Sequence, residues 1–105
     1  MNDILQKLSA TIKLRKQESS TDSYSASLLN AGPERCAQKF GEEAIELIIA
    51  AAGSDLKAFN NEAADLIFHF LVLIEAKNAD LNEILVELQR RQLMSGHAEK
   101  ASRLS

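Results

Sequence analysis

The chain reads as an all-α protein: a helical bundle of four to five helices, completed by homodimerisation. Three observations predict this. Leu, Ala, Ile, Glu and Lys dominate a sequence of 105 residues that holds one proline, four glycines and no tryptophan, a composition that favours helix over sheet. Apolar residues recur at helical spacing, and no stretch alternates as a strand would. Two of the helices carry apolar arcs wider than a single thin layer can cover, which a second copy would bury. Hydrophobic residues make up 46% of the chain and charged residues 26%. That is ordinary for a globular protein, and the length suits one domain over residues 1–105.

The first helix is expected from Asp3 to Lys16, on a narrow stripe of Ile4, Leu5, Leu8 and Ile12. Gln17 to Ser23 is a polar linker with several potential caps. Tyr24 onward forms a short helix or turn that Gly32 ends. Pro33 opens the third helix at the position where its missing N–H costs nothing. Glu34 in that first turn suits the helix dipole, and the helix runs to about Ala52 and stops at Gly53. Ser54 is the expected cap of a fourth helix from Asp55 to about Asn78. Asp80 and Glu83 have capping-box spacing for a fifth, through about Leu93. The tail "HAEKASRLS" is basic and weakly helical.

Charge and cysteine usage narrow the function. A net charge of -3 argues against a nucleic-acid binder, which would carry a basic stripe. Cys36 stands alone, so neither an internal disulfide nor a cysteine zinc site is expected. The start "MNDILQKL" lacks the features of a signal peptide. The longest apolar run, Leu66 to Ile74, is too short to span a bilayer. The expectation is a soluble, cytoplasmic protein with no membrane partner.

The carboxylates carry the chemistry. On the third helix, Arg35, Lys39, Glu42, Glu43 and Glu46 all fall within an arc of about 100°. They form one polar stripe beside an apolar arc of about 200°. Taken alone, this is a solvated Glu/Lys stripe in which Lys39 pairs with Glu43. The fourth helix changes the reading. Glu62, Asp65 and His69 share an arc of about 60°, and the same stripe continues as Val72, Leu73 and Ala76. A helix apolar nearly all round is buried, so Glu62 and Asp65 belong in or beside the core. Acidic groups facing each other across two helices are costly without a counterion, and Lys39 and Arg35 do not suffice. A divalent cation would neutralise them, since hard ions such as Mg²⁺ prefer carboxylate oxygen. A short turn at Gly53-Ser54 would make the two helices antiparallel, with Glu46 and Glu62 at similar depth.

The set Glu42, Glu43, Glu46 followed by Glu62, Asp65 resembles the all-α nucleoside-triphosphate pyrophosphatase superfamily, often called MazG-like. Within it, "SYSASLLNAGPERCAQKFGEEAIEL" (Ser23 to Leu47), "EAADLIFHFLVLI" (Glu62 to Ile74) and "SGHAEKASR" (Ser95 to Arg103) are similar to the signature blocks of the phosphoribosyl-ATP pyrophosphatase family. Ser25 stands where threonine would be expected, and keeps the hydroxyl. The resemblance implies hydrolysis of phosphoribosyl-ATP to phosphoribosyl-AMP and pyrophosphate, the second step of histidine biosynthesis, by a chain without the cyclohydrolase domain to which this enzyme is often fused. It implies Mg²⁺ bound by Glu43, Glu46, Glu62 and Asp65, with Glu42 a further ligand or the base for the attacking water.

Phosphates also need cationic or N–H donors. Arg35, Lys39, Lys100 and Arg103 are the candidates, and Ser95 and Gly96 could offer backbone N–H groups in a turn. Glu42, at the edge of the stripe, is the expected catalytic base. His69 reads as a satisfied core histidine and Cys36 as packing. Tyr24 is an interface or substrate contact, and the sequence does not decide which. Two other functions fit the same residues: a house-cleaning pyrophosphatase acting on dUTP or dCTP, and a non-catalytic helical dimerisation module.

Overall fold

A computed structural model describes residues 3–18 and 23–93. They form α1 (Ile4–Arg15), α2 (Tyr24–Ala31), α3 (Pro33–Ala52), α4 (Leu56–Ala76) and α5 (Leu81–Gln92), with no strand among the described residues. The all-α expectation holds. No helix among them is long and apolar enough to cross a membrane.

Local chemistry explains most boundaries. Ser23 caps α2, its hydroxyl accepting from the Ala26 N–H at 3.2 Å, which satisfies one of the orphan donors of the first turn. Gly32 ends α2 and precedes Pro33 with φ of 99°, a backbone region that L side chains avoid. What the sequence left as a helix or a turn is therefore a helix of two turns, closed by glycine. Pro33 takes the first position of α3.

Two boundaries differ from expectation. The cap of α4 is Asp55, whose carboxylate accepts from the Ala58 N–H at 3.1 Å, and not Ser54. Both residues favour the role, and the turn after Gly53 delivers the second of them. The same helix ends at Ala76, short of Asn78. There the Ala79 N–H bonds to the Ile74 carbonyl and the Asn78 N–H to the Glu75 carbonyl, with Asn78 at φ of 57°. This is the Schellman arrangement, with asparagine in the place glycine usually holds. Asp80 caps α5 through the Asn82 N–H at 2.9 Å, one residue earlier than the Glu83 N–H that a capping box uses.

α3 and α4 are the most extensively packed pair. The Phe40 and Phe70 rings lie 5.8 Å apart; one residue precedes the Gly53–Asp55 turn by about as much as the other follows it, so the pair is an antiparallel hairpin. The core lies toward the far end of that hairpin, where Ile12, Leu28, Leu29, Cys36, Leu71, Val72, Ile74 and Leu81 cluster. α1 lies across α4, with Lys13 and Lys16 at 3.9 Å and 3.7 Å from the Glu75 carboxylate. Such partly exposed pairs contribute about 1 kcal/mol or less each, so burial of Ile12 anchors α1. The first turns of α5 close the core through Leu81, with Ile84 and Leu85 packed against it.

The apolar arcs are incompletely covered within one chain. Ile45, Ile48 and Ile49 on α3 and Ile67 and Phe70 on α4 remain exposed. The fourth helix is thus buried along its second half only, and the expectation that it is enclosed all round does not hold within a single chain.

Leu71 is 2% exposed. Leu71→Ala is expected to lower unfolding free energy by about 2–5 kcal/mol, read from chemical denaturation at fixed protein concentration.

Candidate active site

The hairpin brings carboxylates together. One oxygen each from Glu43, Glu62 and Asp65 lies within 4.8 Å of the others. Glu62 and Asp65 share a face because they are three residues apart on one helix, and Glu43 faces them from α3 because the helices run antiparallel. Glu43 is buried, Glu62 half-buried and Asp65 exposed. The acidic set therefore lies beside the core, at the edge of the hairpin. Glu62 Oε2 is buried and has no hydrogen-bond partner. An orphaned buried carboxylate oxygen is unusual, since leaving such an acceptor unpaired costs about 1–3 kcal/mol or more.

Glu46 is exposed, yet it belongs to the same group. A hydrogen bond to Glu43 and that residue's charge, then the charge of Glu62, hold its carboxyl above the ordinary carboxylate value.

Cations line one rim. Lys39 Nζ lies 3.5 Å from Glu43 Oε1 and 3.7 Å from Glu42 Oε1, and Arg35 Nη1 lies 3.5 Å from Glu42 Oε2. Residues 35, 39, 42 and 43 fall on one helical stripe, so their neighbourhood follows from spacing alone. The Tyr24 phenol oxygen, then Glu43 and Glu42, raise the Lys39 pKa, partly offset by burial. Glu42 stands outside the closest carboxylate group, tied to the two cations. Ser95, Gly96, Lys100 and Arg103 lie outside the described residues.

His69 is buried, with Nδ1 2.8 Å from the Asp65 carbonyl and Nε2 3.0 Å from the Tyr24 hydroxyl. Both ring nitrogens are satisfied, as expected of a core histidine. Cys36 is 1% exposed and donates its S–H to the Leu28 carbonyl at 3.2 Å. Burial pushes its thiol pKa up, against the charge of Arg35, so it is an inert packing residue. Tyr24, which the sequence left open, adjoins this site from α2. The four-residue spacing of Asp65 and His69 could have signalled the imidazole–carbonyl bond, but no local pattern points to Tyr24.

The profile of the family described as phosphoribosyl-ATP pyrophosphohydrolase matches residues 5–92. Among curated proteins, the phosphoribosyl-ATP pyrophosphatase of Dinoroseobacter shibae is 49% identical over 100 residues, covering 95% of this chain and 98% of its own. That of Ruegeria pomeroyi is 50% identical over 100 residues, with 95% of each chain covered. That of Azorhizobium caulinodans is 49% identical over 96 residues, covering 91% of this chain and 88% of its own.

Because Glu46 has a raised folded-state pKa, its stabilising effect is complete below the unfolded carboxylate value and is lost as pH rises through the folded one. In metal-free protein at neutral pH, Glu46→Gln is expected to melt above wild type. The gap should close as the pH falls below about 4, where the unfolded side chain is protonated as well. Calorimetric melts in chelator across that range test it.

Proposed function

This chain belongs to the phosphoribosyl-ATP pyrophosphohydrolase family, and from that premise we propose that it hydrolyses phosphoribosyl-ATP to phosphoribosyl-AMP and pyrophosphate, in histidine biosynthesis, with Mg²⁺ held by Glu43, Glu46, Glu62 and Asp65. The observation that carries the cation is the convergence of Glu43, Glu62 and Asp65 oxygens within 4.8 Å, with Glu62 Oε2 buried and unpartnered. The donors are all carboxylate oxygens, which suits a hard divalent ion and not a thiolate- or imidazole-seeking one. His69 has both nitrogens engaged and does not compete as a ligand.

A divalent cation bound there would offset charge on the phosphate oxygens and lower the pKa of a water molecule. The chain's own residues supply the rest. Lys39 and Arg35 sit on the rim, paired with Glu42 and Glu43, where incoming phosphate oxygens compete for the same ammonium and guanidinium donors. Glu42 lies outside the closest carboxylate group and is paired with Arg35 and Lys39; once incoming phosphate oxygens draw those cations away, its carboxylate accepts the proton of the attacking water. The water oxygen forms a new bond to one of the two phosphorus atoms of the α–β anhydride, the bond from that phosphorus to the bridging oxygen breaks, and the bridging oxygen keeps its electron pair, giving phosphoribosyl-AMP and pyrophosphate. Ser95, Gly96, Lys100 and Arg103 remain the proposed further phosphate contacts, from the resemblance of the segment that holds them.

The chain acts as one domain, 1–105, in a cytoplasmic homodimer. The exposed Ile45, Ile48 and Ile49 lie three and four residues apart on one face of α3, and Ile67 and Phe70 are bare on its partner helix. Each such side chain gains about 1.5–3 kcal/mol on full burial, which a second hairpin would provide. Sedimentation at micromolar concentration is expected to give twice the chain mass, and a monomer would contradict it.

Pyrophosphate release from a panel of phosphoribosyl-ATP, dUTP and dCTP tests the reaction, with phosphoribosyl-ATP expected to be the preferred substrate. Preference for a deoxynucleotide would reassign it. Asp65→Asn should lose about a hundredfold or more in kcat/KM, about 2.7 kcal/mol of transition-state stabilisation, and should also lose the Mg²⁺-dependent rise in melting temperature. Glu42→Gln should lose kcat by about 10²–10⁴-fold and keep the Mg²⁺ response, which separates base from ligand.

A further inference from the structure

Tyr24 is half exposed, on the short helix α2, and its hydroxyl lies 3.0 Å from His69 Nε2. His69 Nδ1 lies 2.8 Å from the Asp65 carbonyl. A carbonyl accepts and cannot donate, so Nδ1 carries the proton of that bond. In the neutral ring Nε2 then accepts, and the tyrosine O–H donates. The order is thus fixed: Tyr24 O–H to His69 Nε2, His69 Nδ1–H to Asp65 C=O.

Packing holds each member in place. The Tyr24 ring stacks on Phe68 with centroids 6.4 Å apart and meets the His69 ring edge-on at 5.8 Å. His69 also meets Phe68 at 5.2 Å, and is itself 7% exposed. The Asp65 carbonyl belongs to the same residue that presents a carboxylate to Glu43 and Glu62. An imidazole bond to that carbonyl therefore restrains the turn of α4 from which the Asp65 side chain springs.

We propose that Tyr24 is a positioning residue for the carboxylate cluster: through His69 it locks the backbone at Asp65, so that α2 determines how well α4 presents its oxygens to a divalent cation. Partners that orient a metal's ligands without touching the metal change affinity by about 10–100-fold when removed. Here the hold passes through one imidazole and a backbone carbonyl, so a smaller effect is expected.

The inference rests on the cation reading above, and the experiment separates the two. Wild type, Tyr24→Phe, His69→Asn and the double variant are titrated with MgCl₂ by calorimetry. Tyr24→Phe keeps the ring and its packing on Phe68 and loses the hydroxyl. It is expected to raise the Mg²⁺ dissociation constant by about three- to tenfold. His69→Asn keeps a short amide near the Asp65 carbonyl and severs the link to Tyr24, so adding Tyr24→Phe to it should change the constant no further. An unchanged Mg²⁺ constant in Tyr24→Phe, even with a lower melting temperature, would show a merely structural contact and overturn the proposal. Additive effects in the double variant would overturn it too. A wild-type protein that binds no Mg²⁺ overturns both readings. Wild-type binding with an identical Tyr24→Phe constant overturns this one alone.

Discussion

Like-charge repulsion across the α3–α4 hairpin is the constraint from which the rest of the site follows. Two unit like charges about 4 Å apart near a protein surface repel by about 4 kcal/mol, and Glu43, Glu62 and Asp65 approach within 4.8 Å of one another. A chain selected for stability alone would not place them there. The local responses are visible. Glu46 is held above the ordinary carboxylate pKa, Lys39 bridges toward Glu42 and Glu43, and Glu62 keeps one oxygen buried without a partner. Lys39 and Arg35 are drawn partly toward Glu42, which leaves the cluster short of positive charge. That deficit is the physical argument for a cation.

The molecule separates the source of its stability from the place of its chemistry. Ile12, Leu28, Leu29, Cys36, Leu71, Val72, Ile74 and Leu81 form the core, concentrated around the second half of α4. The carboxylates lie toward the other half, where α4 is less covered and Asp65 is exposed. The bare Ile45, Ile48, Ile49 and Ile67 lie along the hairpin near the acidic residues. Under the proposed dimer, burying these side chains would also lower the dielectric around the carboxylates, raising both the cost of leaving them unpaired and the strength of a bound ion's hold.

Much of this was legible from periodicity. The limits of α3 follow from Pro33 and Gly53, and the common stripe of Arg35, Lys39, Glu42 and Glu43 follows from 3.6-residue geometry. The short turn between the two helices implied that Glu46 and Glu62 lie at similar depth, whereas the oxygens that converge within 4.8 Å are those of Glu43, Glu62 and Asp65. What was not legible depended on choices between near-equals or on distant contacts. Ser54 and Asp55 are both good caps, and only the path of the turn selects Asp55. Asn78 reads as a helical residue until its backbone is seen in the left-handed region. The degree of burial of α4 was overread because a wide apolar arc does not say whether its own chain or another covers it. Tyr24 and His69 are 45 positions apart, beyond the reach of any local pattern.

α2 then has a role out of proportion to its length. An isolated helix of 8 residues is too short to persist in water by propensity, so its place depends on the Ser23 cap, the Gly32 turn and the burial of Ser25, Ala26, Leu28 and Leu29. Those side chains sit against the stable end of the molecule, and Tyr24, the first residue of the same helix, reaches the acidic end. A rigid element with one face in the core and one hydroxyl on His69 carries the order of the core to the Asp65 backbone. The two ends of the hairpin are thus tied by more than their shared helices. The precision with which oxygens are presented to a cation depends on packing that lies more than one turn away from them.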